Sequence, residues 1–274
     1  MSEIIDPRNS EHGIDYTNTE LVSKQKEMYN SILSNIVDIS EEQKVFAKEN
    51  NQQLGLLIVE PRSHEWLKAV LYNMAHIYGG LDVPLYIVHG AENKEFIDNI
   101  VGDWSNIVFL ELPVDNLSKD EYSTLLTSEQ FWSYIKTEFV LVFQTDTFIR
   151  KKIPEVYYYF DMVSAPWPWS PIGCNNRQVG NGGFSLRKVK TMLNICNKYT
   201  YNKENDIAED VFFCKYVPID RVPPVKLASQ FSVEHIYNTN PVGLHQVWRF
   251  QTIHDIVQLT SNVGGIPPLI INKK

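Results

Sequence analysis

The apolar and polar positions of residues 54–143 alternate between short apolar runs and longer segments with helical spacing. The apolar runs predict strands at Leu54–Val59, Val83–Val88, Asn106–Leu112 and Phe139–Phe143. The segments between them predict helices from about Ser63 to Tyr78, Asn93 to Val101 and Lys119 to Ile135. Strands in alternation with helices are typical of βαβ units, so we predict an α/β fold whose mostly parallel central sheet is flanked by helices.

The segment before the first strand, residues 1–53, is predicted to be a partly helical N-terminal extension. Residues 1–20 are polar, and we expect them to be loose. Apolar residues then recur at spacings of seven and four, which predicts a helical face made of Leu21, Met28, Ile32 and Ile36. Residues 40–43 resemble a capping box that opens a short second helix. This extension could mediate a homo-oligomer, but packing on its own domain is the default expectation.

After residue 146 the pattern changes to short β-type runs, loops and two further helices. The predicted runs and segments are strands at 156–160 and 162–165, a proline- and tryptophan-rich loop at 166–171, a glycine-rich turn at 179–187, and helices at 188–199 and from 208. We expect residues 54–250 to form the main domain and residues 251–274 to form a C-terminal tail.

Composition and charge narrow the function. The net charge of −8 is opposite to the basic footprint of nucleic-acid-binding proteins, so we expect no nucleic-acid partner. Three cysteines without CxxC spacing predict neither a disulfide framework nor a zinc site. The first residues do not resemble a signal peptide, and no apolar run is long enough to span a membrane. We therefore expect a soluble, cytoplasmic protein.

Asp146 follows the apolar run Phe139–Phe143 and is the first candidate for a functional side chain. Ligands of open α/β sheets bind beyond the carboxyl ends of the strands, where Asp146 is expected to lie. A carboxylate there can bind a divalent cation, which in turn can neutralise a diphosphate. The alternative is that Asp146 only caps the following turn.

Common nucleotide-binding signatures are missing. No GxGxxG follows the first strand and no GxxxxGK[ST] occurs, so dinucleotide-binding and P-loop functions are poorly supported. What remains is a set of polar residues at predicted element boundaries: Asp146, then Asn181, Asp210 and His245, which lie 35, 64 and 99 positions later.

These residues carry a resemblance to a known family. The QTD of Gln144–Asp146, the GNGGFSLR of Gly180–Arg187 and the ED of Glu209–Asp210 are similar to motifs of GT-A-type glycosyltransferases, and closely similar to a little-characterised group of them. The resemblance covers residues 54–248. It implies a Rossmann-like GT-A fold and a nucleotide-sugar donor.

The resemblance also implies a metal site. In GT-A enzymes an Asp-x-Asp motif binds Mn²⁺ or Mg²⁺, and here Gln144 replaces the first aspartate, which leaves one carboxylate. Asp146 would bind the ion, and His245 matches the late histidine that completes the metal shell in several such enzymes. Carboxylate and imidazole are both suitable ligands, with diphosphate oxygens and water as the rest.

Further roles follow from the resemblance alone. Asn181, Gly182 and Gly183 match the turn beside the sugar; the alternative is a glycine-rich loop that enters a helix. Asp210 matches the general base of inverting members, with Glu209 contacting acceptor or donor; the alternative for one of these acids is helix capping.

The remaining candidates are the nucleotide residues and the aromatic residues around the site. The resemblance assigns Glu60, Pro61 and Arg62, together with Gln144 and Thr145, to the nucleotide. Arg62 could instead form an exposed salt bridge. Trp248, with Trp167 and Trp169, would flank the site and could contact sugar faces, although most tryptophans are packing residues.

The resulting hypothesis is a metal-assisted glycosyltransferase. It would move a hexosyl group from a nucleotide diphosphate sugar, expected to be a UDP-sugar, to a hydroxyl of a glycan, protein or lipid, with inversion. Two alternatives stay open: a catalytically silent nucleotide- or sugar-binding module, which Gln144 favours, and a sugar nucleotidyltransferase, whose glycine-rich basic signature is missing after the first strand.

Overall fold

A computed structural model of the chain describes residues 17–50 and 52–269. Its strands are β1 Leu54–Val59, β2 Leu85–Gly90, β3 Ile107–Leu112, β4 Phe139–Phe143, β5 Thr147–Ile149, β6 Met162–Ser164, β7 Phe184–Lys188, β8 Ser232–Val233 and β9 Gly243–His245. Its α-helices are α1 Thr19–Leu33, α2 Leu67–Tyr78, α3 Lys94–Val101, α4 Lys119–Leu126, α5 Glu129–Ser133, α6 Val189–Lys198, α7 Glu209–Tyr216, α8 Val225–Phe231, α9 Val247–Phe250 and α10 Ile253–Thr260. None of these helices is both long and apolar enough to cross a membrane.

Six strands form the central sheet in the order β3-β2-β1-β4-β7-β6. The first four are parallel, whereas β7 is antiparallel to both of its neighbours. A smaller sheet, β5-β9-β8, lies after the carboxyl end of β4. The predicted α/β fold with a mostly parallel central sheet and flanking helices is therefore confirmed.

The central strand β4 is buried on both faces, as its sequence predicts. Phe139, Leu141 and Phe143 pack in one hydrophobic cluster with α2 and α3. Val140 and Val142 point to the opposite face and pack in a second cluster with α5, α6 and α7. The alternation of the two sets follows from the period of two in a strand, so a continuous apolar run serves both faces.

The N-terminal helix α1 packs on the same domain. Tyr29, Ile32 and Leu33 are buried in a third cluster with residues of α9 and α10. The buried face is shifted from the predicted one, since Met28 is 39% exposed. Ser40 and Gln43 form the two reciprocal hydrogen bonds of the predicted capping box beside a short 3₁₀ helix, Glu42–Lys44, whose N-cap residue is Glu41. Most of the segment expected to be loose, residues 1–16, lies outside the described residues, as do residue 51 and residues 270–274 of the C-terminal tail.

Three predicted elements differ in the structure. The run at 156–160 is not a strand but a 3₁₀ helix, Glu155–Tyr159. In a strand, residues 157 and 159 would lie on the same face, but Tyr157 is buried and Tyr159 is exposed. The helix predicted at 119–135 is two helices, separated where Ser128 caps the second. Residues 184–188 form strand β7, where a glycine-rich turn leading directly into a helix was expected.

Candidate active site

The site lies where β1 and β4 end side by side. Gln144 and Thr145 follow β4 directly, and the Gln144 N–H donates to the carbonyl of Gly183 at 3.1 Å. The Thr147 hydroxyl donates to the Gln144 carbonyl at 2.7 Å. These bonds join the end of β4 to the glycine turn before β7 and leave Asp146 between the two sheets.

Asp146 and His245 meet as the sequence hypothesis requires. Strand pairing places Thr147 opposite His245, and the His245 Nε2 atom lies 3.5 Å from Asp146 Oδ1. On the other side of the ring, Nδ1 lies 3.5 Å from Oε1 of Glu234. Burial acts to lower the pKa of His245, but the two carboxylates outweigh it and raise this pKa to about 9. Burial acts to raise the pKa of Asp146, but the His245 charge outweighs it and lowers this pKa.

These two side chains fit a divalent cation. Asp146 Oδ1 and both His245 ring nitrogens are buried and form no hydrogen bond. At 3.5 Å apart, Asp146 Oδ1 and His245 Nε2 can both bind one ion at the usual ~2.0–2.2 Å, with release of the proton that the raised pKa of His245 retains when no ion is bound. Within residues 17–50 and 52–269, no group of three or more His, Cys, Asp or Glu side chains could hold a metal. The ion would therefore need further ligands from a bound diphosphate or water.

The glycine turn positions its neighbours through contacts within the protein. Asn181 donates to Glu234 Oε2 at 2.6 Å and accepts from the Gly183 N–H at 3.1 Å, so both ends of its amide are used internally. A Cβ atom at Gly183 would collide with the His245 ring, and one at Gly182 would lie 2.6 Å from Glu209 Oε1. Both glycines are required because the backbone packs directly against the site side chains.

Asp210 begins helix α7 together with Glu209 and faces the glycine turn. Its carboxylate accepts from the Val211 N–H at 2.7 Å and from the Gly182 N–H at 3.2 Å. Burial, and secondarily the negative charge of Glu209, raise the pKa of Asp210 to about 7. A carboxyl group with this pKa can both accept and release a proton near neutral pH.

Glu209 is held by Arg187, a fully buried side chain of β7. The Arg187 Nη2 atom lies 2.8 Å from Glu209 Oε1, and Arg187 Nε donates to the Ser185 hydroxyl at 2.8 Å. The backbone N–H of Glu209 donates to Ser123 Oγ at 3.2 Å. This ion pair ties the start of α7 to β7, and it therefore fixes where Asp210 lies.

Glu60 and Arg62 pair with each other at the end of β1. Arg62 donates through Nε and Nη2 to the two Glu60 oxygens at 2.7 and 2.8 Å, and its side chain is 53% exposed. The pKa of Arg62 is raised, mainly by its hydrogen bond to Glu60. The Glu60 carbonyl also accepts from Asn93 at 2.8 Å. The half-exposed salt bridge that the sequence left open is thus present, and it orients the guanidinium at the rim of a cavity.

Two adjoining cavities contain thirteen of the candidate residues, and Trp167 and Trp169 lie outside both. The first, here the Glu60 cavity, has a volume of about 340 Å³ and includes Glu60, Pro61, Arg62, Gln144, Thr145, Asp146 and Trp248. The second, the Asp210 cavity, has a volume of about 320 Å³ and includes Gln144, Asn181, Gly182, Gly183, Glu209, Asp210 and His245. The cavities share Lys119, Tyr122 and Gln144. Trp248, which was expected to contact the sugar, thus lines the same cavity as the residues assigned to the nucleotide and not the cavity of the glycine turn.

Sequence reasoning assigned no role to several residues of these cavities. Arg187 lies inside a quoted motif, and a charged residue within a strand is a signal that could have identified it. Glu234 has no comparable signal, because it becomes a partner of His245 only through the pairing of β8 with β9. Lys26 comes from α1 and lines the Glu60 cavity, 5.3 and 5.5 Å from the ring centroids of Trp66 and Trp248.

Comparisons with known proteins give one family and a set of distant structures. No curated protein matches the chain. Among solved structures, S. aureus TarS 1–349 in complex with UDP is 12% identical, with a TM-score of 0.42 over 60% of this chain and 54% of that chain. Another structure of S. aureus TarS 1–349 is 11% identical, with a TM-score of 0.45 over 62% and 57% of the two chains. The chain thus spans just over half the length of the solved chains it matches.

A family model described as "Protein of unknown function (DUF5672)" matches residues 106–245. These 140 residues (245 − 106 + 1) are more than half of the 274 in the chain and include the candidates from Gln144 to His245. The chain belongs to this family, DUF5672.

Proposed function

We propose that the protein is an inverting glycosyltransferase that moves a hexosyl group from a UDP-sugar to a hydroxyl acceptor. The observation that carries this proposal is the position of Asp210. Its carboxyl group, with a pKa near 7, lines the same cavity as His245, and that cavity adjoins the one that contains Glu60 and Arg62. The two cavities, which share Lys119, Tyr122 and Gln144, thus offer room for a nucleotide in one and a proton acceptor in the other.

Asp210 is the proposed general base. Its carboxylate accepts the proton of the acceptor hydroxyl, whose oxygen forms a bond to the anomeric carbon of the sugar. The bond between that carbon and the diphosphate oxygen breaks on the opposite face, and the nucleoside diphosphate leaves with the electron pair. A base is most effective when its pKa lies near the working pH, which the burial of Asp210 beside Glu209 provides.

The diphosphate is proposed to lie beside Asp146, at the junction of the two cavities. Asp146 and His245 would hold a divalent cation, Mn²⁺ or Mg²⁺, which when bound neutralises charge on the leaving diphosphate. Lys119 lines both cavities and provides a second positive charge there. Both contributions stabilise negative charge that increases as the sugar–oxygen bond breaks.

The nucleoside is proposed to occupy the Glu60 cavity. Arg62 is oriented by its two hydrogen bonds to Glu60, and Trp248 offers an aromatic surface beside Lys26. A volume of about 340 Å³ lies within the range of small-molecule sites. The remaining wall, at residues 116–119, places the N-terminal end of α4 beside this space.

The experiment is UDP release from a panel of UDP-sugars with Mn²⁺, together with calorimetric titration of UDP. We expect the wild type to bind UDP and to release it slowly from at least one UDP-sugar, and we expect Asp146→Ala to lose the release. Release that is unchanged in Asp146→Ala would remove this residue from the mechanism. UDP binding without turnover across many acceptors would favour the silent binding module, and pyrophosphate release from UTP and a sugar phosphate would favour a nucleotidyltransferase.

A further inference from the structure

A third cavity is also lined by Asp210 and has a different chemical character. This Trp169 cavity has a volume of about 360 Å³. It is lined by Lys119, Trp167, Trp169, Ser170, Pro171, Ile172, Ile207, Ala208, Asp210 and Val211. It shares Lys119, Ala208 and Asp210 with the Asp210 cavity, so an occupant of either cavity borders the proposed base.

Three of its apolar side chains are exposed. Ile172 is 86% exposed, Ile207 is 59% exposed and Trp169 is 45% exposed. Single exposed apolar residues need no explanation, but three around one concave space form the type of patch that marks a binding surface. Because two separate loops supply them, their meeting beside Asp210 is a feature of the fold and not of one local sequence.

The loop that carries Trp169 and Ile172 is fixed to helix α7. Cys174 is buried and its Sγ atom lies 3.8 Å from the carbonyl oxygen of Val211. Arg177 donates to the Cys214 carbonyl at 2.6 Å. The Trp169 ring lies 5.1 Å from the His235 ring in an edge-to-face arrangement. The loop that carries Trp169 and Ile172 is therefore held against α7, which begins at Glu209 and Asp210, before any ligand binds, and this lowers the entropy cost of binding.

The cavity has few groups that could replace water around a polyhydroxylated ligand. Among its lining residues the polar side-chain groups are those of Lys119, Ser170 and Asp210 and the indole N–H groups of Trp167 and Trp169, whereas the ends formed by Ile172 and Ile207 have none. Sugar hydroxyls moved from water onto Ile172 and Ile207 would lose hydrogen bonds without compensation. An alkyl or aromatic group, by contrast, would bury its own surface together with that of these residues.

Building on the proposed function, we infer that the acceptor is an amphiphile: a small molecule whose hydroxyl reaches Asp210 and whose apolar body lies in the Trp169 cavity. The choice follows from the position of Asp210 in the lining of both cavities and from the apolar side chains that line one of them. The acceptor class is thereby narrowed from any glycan, protein or lipid hydroxyl to hydroxyls that carry an alkyl or aromatic group.

The test compares two probes with one sugar and different aglycones, octyl β-glucoside below its micelle concentration and methyl β-glucoside. Binding is measured by calorimetry in the presence of UDP and Mn²⁺. We expect octyl glucoside to bind at least about 30-fold tighter, since burial of about three of its extra methylene groups is sufficient for that difference. Ile172→Ser and Ile207→Ser should each reduce this preference about three- to tenfold. The control Ile219→Ser, at a site 65% exposed and outside this cavity, should keep the preference.

The outcomes distinguish failure of the amphiphilic-acceptor inference from failure of the proposed glycosyltransferase function. Equal binding of the two glucosides would overturn it, as would a preference that Ile172→Ser and Ile207→Ser leave unchanged. A preference that appears only with micelles or lipid vesicles would also overturn it and would indicate a membrane surface instead. If UDP neither binds nor is released from UDP-sugars, the proposed function fails, whereas titration of the octyl probe without UDP still reports on the cavity.

Discussion

Replacement of Asp210 by asparagine should make the protein more stable at alkaline pH while removing its proposed base. The pKa of Asp210 is raised from 3.8 to about 7, first by burial and then by Glu209, so the folded state holds this proton more tightly than the unfolded state does. The carboxyl group therefore destabilises the fold by an amount that increases as the pH rises from about 4 to about 7 and stays constant above pH 7. The difference of about three pKa units corresponds to about 4 kcal/mol at pH 8.

Asparagine removes this penalty but loses one acceptor oxygen. The two Asp210 oxygens accept from the backbone N–H groups of Gly182 and Val211, and an amide can satisfy only one of them, at a cost of about 1 kcal/mol. The net expectation for Asp210→Asn is a gain of about 3 kcal/mol in the free energy of unfolding at pH 8. Near pH 4.5 the wild-type penalty has fallen to about 1 kcal/mol, so the two proteins should be about equally stable there.

The assay is urea denaturation of both proteins at pH 4.5 and pH 8, with Asp220→Asn as a control in an exposed acid. The expected result is a stability difference that increases by about 3 kcal/mol between the two pH values for Asp210→Asn and does not change for the control. A difference that is the same at both pH values would refute the elevated pKa, and with it the physical basis for a base at this position.

Three further predictions concern other parts of the site. Arg187→Met should lower the free energy of unfolding by about 3–5 kcal/mol, because it leaves the Glu209 carboxylate buried without a partner. The double variant with Glu209→Gln should recover much of this loss in the same denaturation experiment, and failure to recover would show that the pair matters through packing alone. UDP with Mn²⁺ should raise the melting temperature of the wild type by about 5 °C or more at saturating concentrations, and that of Asp146→Asn by clearly less. Equal shifts in the two proteins would show that Asp146 does not bind the ion. Lys119→Ala should weaken UDP binding about five- to thirtyfold in calorimetry, with Lys119→Arg close to wild type, and unchanged binding would exclude a contact with the diphosphate.

The fold was largely predictable because its strands are continuous apolar runs. Leu54–Val59 and Phe139–Phe143 are buried on both faces, and such runs stand out in the sequence without knowledge of tertiary contacts. Strand β7 was missed because its inward positions on one face are Ser185 and Arg187, whose burial depends on the partner Glu209 from a helix 22 positions later. The opposite face of β7 is apolar, with Phe184 and Leu186 both buried, but two alternating apolar residues are too short a pattern to predict a strand.

The site was predictable as far as it lies at strand ends and in short motifs. The approach of Asp146 to His245 could be expected only through resemblance, since it depends on the pairing of β5 with β9 across nearly one hundred residues. The position of Lys26 in the lining of the Glu60 cavity could not be predicted from the sequence, because it depends on how α1 packs against α9 and α10. Sequence motifs therefore named residues that the structure brings together in adjoining cavities, whereas tertiary packing determined which other residues line them.

The most direct test of the proposed base is the pH dependence of kcat/KM for UDP release from the UDP-sugar that the wild type uses. With Asp210 as base, kcat/KM should rise with pH through an apparent pKa of about 7 and level off above it, because only the carboxylate can accept the proton. Asp210→Asn should bind UDP normally, lose about 10²- to 10⁴-fold in kcat/KM and lack this transition. An Asp210→Asn variant that keeps both the wild-type rate and the transition near pH 7 would contradict the account.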